Sequence, residues 1–138
     1  MSAEQQQQAI EILCNAYAAF NRGDIKAAIR EMDANVEWTE PAEFLGGGTY
    51  HGPDAVGAYL TQSRDAWAEC SSQPERFVPA GDKIVVFVHA RVRPRDSVEW
   101  IDTHLADVFT FRNGKIVQMT AFADPGQALQ SAGGELHA

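Results

Sequence analysis

Read as a strand, the segment from Ile101 to Phe111 places Ile101, Thr103, Leu105, Asp107, Phe109 and Phe111 on one face, and Asp107 is the member out of character. Strand alternation turns it inward with its apolar neighbours. A carboxylate there loses several kcal/mol of hydration unless it is paired, protonated or open to a cavity. Glu40 raises the same question, because it falls in step with Val36 and Trp38 on the apolar side of a short strand that Pro41 stops. Two inward carboxylates from distant parts of one chain suggest a pocket that could hold and move protons. Plainer readings stand beside this one: Asp107 as a buried acid satisfied by the hydroxyl of Thr103 or Tyr17, and Glu40 as a solvated strand end.

The histidines point less clearly to chemistry. His51, just before Gly52, is expected at a pocket mouth, where it could touch a ligand. His89 and Asp102 are expected to face each other on the outer side of the sheet, near Arg91 and Trp100 and with His104 alongside. Such a patch reads as a dimer interface or a solvated face ahead of a catalytic triad. Adding water to an epoxide needs an Asp-Arg-Asp arrangement around a water, and with Arg91 on the outer side that reading ranks last. His137 lies in the tail, and the Gly46 to Gly48 run lacks the Lys-Ser/Thr of a phosphate loop. Cys14 and Cys70 are too far apart for a C-x-x-C pair and no second pair completes a zinc set, so no metal is expected. Both thiols read as buried packing residues in a reducing compartment.

The elements that must position these residues divide into a helical first half and a strand-rich second half. Ile10, Leu13, Cys14, Tyr17 and Phe20 share one face of a helix ending at Gly23, and Asp24 caps a second helix to about Met32. Val36 to Glu40 and Thr49 to His51 are short strands. Pro53 opens a helix to about Cys70, with Val56, Tyr59, Leu60, Ser63 and Trp67 inward. After Pro74 the period is that of strands: one from Phe77, one over Ile84 to Arg93, one ending at Phe111 and one over Ile116 to Ala123. A four-residue turn at Pro94 to Ser97 sets Arg93 opposite Val98, and a three-residue loop with Gly114 in the left-handed position aligns Val117, Met119, Ala121 and Ala123 with Asp107. Residues 1–7 and 131–138 are expected to be flexible.

Composition narrows the partners. The chain has 138 residues, 11 Lys+Arg against 19 Asp+Glu and a net charge of −8, which argues against nucleic-acid phosphates, an anionic membrane or a highly acidic substrate. A single domain of this size hides roughly two-thirds of its unfolded surface and needs no staples. The polar, Gln-rich start and the lack of any long apolar run point to a cytoplasmic protein with neither signal peptide nor membrane span.

Several segments in order resemble the nuclear transport factor 2-like superfamily, in its SnoaL-like and ketosteroid isomerase-related branch. They are Tyr17-Ala-Ala-Phe-Asn-Arg-Gly-Asp24, Asn35-Val-Glu-Trp-Thr-Glu-Pro41, Gly48-Thr-Tyr-His-Gly-Pro-Asp-Ala-Val56, Asp107-Val-Phe-Thr-Phe-Arg-Asn-Gly-Lys-Ile116 and Phe122-Ala-Asp124. The resemblance implies an α+β fold in which a cone-shaped, curved, mostly antiparallel sheet wraps around three helices and encloses an apolar pocket. It puts Glu40 where ketosteroid isomerases carry an Asp-Pro base, and Asp107 where they carry a neutral acid that donates to an oxyanion. The family's oxyanion tyrosine falls on Ala16, with Tyr17 about 100° further round the helix. On this reading Tyr17, Phe20, Trp38, His51, Tyr59, Val88, Thr103, Met119 and Ala121 meet a small hydrophobic carbonyl compound. Glu40 and Asp107 isomerise, cyclise or hydrate it without a cofactor. A non-catalytic ligand-binding or dimerisation module is the alternative. The resemblance also implies a homodimer through the outer sheet face.

Overall fold

Ser2 and Gln5 start the first helix with a capping box: the Ser2 hydroxyl accepts from the Gln5 amide at 3.1 Å, and the Gln5 side chain accepts from the Ser2 amide at 2.8 Å. Helix α1 therefore begins at Ala3 and runs to Asn21, covering residues from which a loose terminus was expected. This is seen in a computed structural model that describes residues 1–44 and 46–133. The remaining elements are α2 (Ile25–Ala28), β1 (Met32–Glu40), β2 (Gly48–His51), α3 (Pro53–Asp65), β3 (Glu69–Ala80), β4 (Lys83–Arg93), β5 (Ile101–Arg112), β6 (Lys115–Phe122) and α4 (Pro125–Ser131). His137 and most of the expected flexible tail lie outside the described residues.

The strands form one curved, unclosed sheet in the order β2-β1-β6-β5-β4-β3, antiparallel except where β1 runs parallel to β6. Helices α1 to α3 cover one face, where Leu13, Val36, Val56, Ile84, Val86, Phe109 and Met119 form the main core. Contrary to the expected three helices there is a fourth. The buried Ala128 of α4 joins Val85, Ala106 and Val108 in a second cluster. Alternation places those β4 and β5 residues on the opposite sheet face, so α4 occupies part of the surface expected to be free for pairing.

Three boundaries differ from the periodicity. Helix α2 stops at Ala28 because the chain is captured by β6: Ile116 donates its amide to Glu31 at 2.9 Å and Met32 pairs beside it. Helix α3 stops at Asp65 because Ala68 already bonds to Arg93 at 2.9 Å, opening β3 well before Phe77. Pro74 is tolerated in β3, an edge strand with a bulge after it.

Two registers also move. The β4–β5 connection is longer than four residues, so Arg91 lies opposite Asp102, and His89 lies opposite His104 instead of Asp102. The offset is even, which leaves every inward residue inward. The β5–β6 turn has two residues, Asn113 and Gly114, both with positive φ, as a primed hairpin turn requires. A bulge at Thr110/Phe111 then turns Ile116, not Val117, into the core.

Candidate active site

The sheet arranges the inner face as two rows across three strands. Trp38 of β1, Met119 of β6 and Phe109 of β5 are paired in one row. In the next row Asp107 lies opposite Ala121, and Glu40 follows one residue beyond the Thr39–Thr120 pair on the other side. The small Ala121 thus separates two carboxylate-bearing strands and leaves space above itself.

Each acid is held by an aromatic donor. The Tyr17 hydroxyl donates to Asp107 Oδ2 at 2.5 Å, and Trp38 Nε1 donates to Glu40 Oε2 at 2.7 Å. Among the described residues no other donor reaches Asp107, and no buried polar side-chain atom lacks a partner, so the second Asp107 oxygen opens onto the cavity. Helix α1 brings in Tyr17, and Arg64 of α3 secures the end of that helix. Its guanidinium donates to the Phe20 carbonyl at 2.7 Å and lies 5.5 Å from the Phe20 ring centre, a cation at the negative helix end.

These residues border a cavity of about 780 Å³. Of the sequence-predicted set, Tyr17, Phe20, Trp38, Glu40, Tyr59, Val88 and Asp107 line it. Met119 does not: it is fully buried between Trp38 and Phe109, whose rings sit 6.0 Å apart. Ala121 is buried and too short to reach the lumen. Thr103 is exposed on the outlying half of β5, and His51 is exposed at the end of β2, outside the lining. Phe109, Ala90, Val92 and Leu105 line the cavity and were overlooked, although alternation from Val88 and Asp107 marks all four. Ala16 also lines it, so the family's tyrosine position and Tyr17 both reach the lumen.

Burial governs the charges. Desolvation, with repulsion from Asp107, pushes Glu40 up to about 8, against the opposing pull of Trp38 and Tyr59. Desolvation pushes Asp107 up to about 6 despite the Tyr17 bond. Both carboxyls are thus pushed well above their ordinary range, and the two titrate as a coupled pair that holds about one proton between them near neutral pH. Burial and the Asp107 charge hold Tyr17 protonated. Trp38→Phe is expected to raise the Glu40 midpoint further, because the lost indole bond favoured the carboxylate; carboxyl NMR titration reads the change.

Cys14 and the outer histidines lie outside this cavity, while Cys70 borders it. Cys14 is exposed and Cys70 half-buried, against the expectation of two buried thiols: Cys14 falls beside the inward stripe of α1, and Cys70 sits at the cavity edge of β3. On the outer face Asp102 accepts from Arg91 at 2.8 Å and meets His89 at 2.7 Å, while His104 stacks on His89 with ring centres 4.6 Å apart. Among the described residues no helix is long and apolar enough to cross a membrane.

A family model described as a SnoaL-like domain matches residues 15–119. No curated protein matches the chain. Solved structures do. TerC, co-crystallised with polyporic acid, is 24% identical with a TM-score of 0.76, over 92% of this chain and 99% of that one. An NTF2-like protein of unknown function from Burkholderia pseudomallei is 26% identical with a TM-score of 0.77, over 94% and 97%. A protein with a ketosteroid isomerase-like fold from Catenulispora acidiphila, in complex with trimethylamine, is 15% identical with a TM-score of 0.74, over 89% and 92%.

Proposed function

The chain belongs to the SnoaL-like domain family, and on that premise we propose that it is a cofactor-independent enzyme moving a proton beside a carbonyl group. The observation that carries this is the pair Glu40 and Asp107, two carboxyls flanking Ala121 on the wall of an otherwise largely apolar cavity, with burial raising both. The substrate is a small hydrophobic carbonyl compound. The ionised member of the pair takes a proton from the carbon next to the carbonyl, and the protonated member donates one to the oxygen as charge develops there. Return of a proton at a different carbon isomerises the compound; attack by another group on the activated carbonyl system cyclises or hydrates it. That TerC, of the same fold, was co-crystallised with polyporic acid supports a small organic occupant.

The same reading takes the chain as one domain acting in the cytoplasm as a homodimer, paired through the outer sheet face beside α4. The exposed Trp100, on whose ring the outer-face Arg91 guanidinium sits 4.7 Å from the centre, favours that surface.

The test is proton exchange. With a panel of small enones and β-keto esters in D2O, the protein is expected to place deuterium next to the carbonyl of at least one member, followed by NMR. Binding of panel members without exchange would instead identify a non-catalytic binding module.

A further inference from the structure

The two hydrogen bonds that hold the acids have a common support. The Phe109 ring meets the Trp38 ring edge-on, with centres 6.0 Å apart at 74°, and meets the Tyr17 ring edge-on, at 6.1 Å and 80°. Trp38 and Tyr17 are the donors to Glu40 and Asp107. Phe109 is also fixed from below: it is 4% exposed, sits two residues beyond Asp107 on the same strand face and is paired with the fully buried Met119. The Tyr17 hydroxyl stands at the far end of its ring and Trp38 Nε1 donates in the plane of the indole, so a tilt of either ring re-aims its N–H or O–H. Edge-on contacts resist this tilt because they depend on orientation as well as distance.

We infer that Phe109 is a positioning residue for both proton-carrying groups, acting through Trp38 on Glu40 and through Tyr17 on Asp107. It touches neither carboxylate through a hydrogen bond. Its effect is to keep the two donors aimed at the same time, so that both acids present a fixed orientation to one substrate. The inference rests on the acid–base reading above, and adds to it a residue on which both acids depend.

Phe109→Met tests this, because methionine refills the space while giving up the ring edge. The readout is carboxyl NMR titration of Glu40 and Asp107, together with the Trp38 indole proton shift. Donors that lose their aim stabilise the ionised acids less, so both midpoints are expected to move upward, each by about 0.5 to 1 in pH, with the indole proton moving upfield. A merely structural role predicts the opposite sign, since a loosened core admits water and lowers both midpoints. Val85→Ala, which loosens the second cluster on the opposite sheet face, is expected to leave them in place. If Phe109→Met does not fold, Phe109→Leu is read the same way. Midpoints near 4 for both acids in the unaltered protein would remove the acid–base reading and this inference with it. Raised midpoints that stay put or fall in the Phe109 variant would overturn this inference alone.

Discussion

Asp107→Asn is expected to keep the fold and abolish turnover. Asparagine has nearly the same shape, and its carbonyl oxygen can still accept the Tyr17 hydroxyl that now sits 2.5 Å from Oδ2. What it lacks is a carboxyl group able to take or give a proton near neutral pH. A positioned general acid or base contributes roughly 10²- to 10⁴-fold, so a loss of that size in kcat is the expected result, with KM little altered. Stability should hold or improve, because the change removes a carboxylate that burial penalises. Circular dichroism and thermal unfolding check the fold, and deuterium exchange into the substrate checks the chemistry. Turnover within tenfold of the unaltered protein would take the proton-transfer role from Asp107. It would move attention to Tyr17, since His51 lies outside the cavity.

How much of this was legible beforehand depended on whether parity or reach was at stake. Asp107 faces inward under any even register, so a β4–β5 connection longer than expected moved His89 from Asp102 to His104 without disturbing the acid. The bulge at Thr110/Phe111 is an odd step, and there the reading of Val117 as inward failed while Ile116 took its place. The early start of β3 gave no signal because Glu69-Cys-Ser-Ser-Gln-Pro is an edge segment stabilised by pairing, with no apolar alternation to mark it. Inward parity also could not separate wall from floor. Met119 and Ala121 share the face of Trp38 and Asp107, yet large neighbours cover one and a short side chain withdraws the other. The support from Phe109 was hidden for a related reason. It links residues from β1, β5 and α1 through ring orientation, which no spacing within a single segment encodes.

Glu40→Gln is expected to make stability nearly independent of pH where the unaltered protein loses it. An unfolded glutamate ionises near 4.5, and in the fold burial and the neighbouring Asp107 raise it to about 8. The folded state therefore binds this proton more tightly than the unfolded chain does. Its contribution is fully present below about pH 4.5, declines as the unfolded chain ionises and is gone once pH has risen through 8. Asp107 adds a smaller decline of the same sign, ending near pH 6. At about 1.4 kcal/mol per tenfold, the Glu40 proton alone is worth about 3–4 kcal/mol between pH 5 and pH 9. That is a large share of the roughly 5–15 kcal/mol that holds a domain together. Glutamine carries no proton to lose, so the variant's unfolding free energy should follow only the Asp107 decline and flatten above about pH 6. Urea unfolding of both proteins at pH 5, 7 and 9 makes the comparison. The curves should converge at low pH and separate as pH rises, with the Glu40→Gln variant the more stable at pH 9 and incapable of turnover. Parallel curves would mean that Glu40 ionises in the fold as it does in water, and that the carboxyl pair does not share a proton.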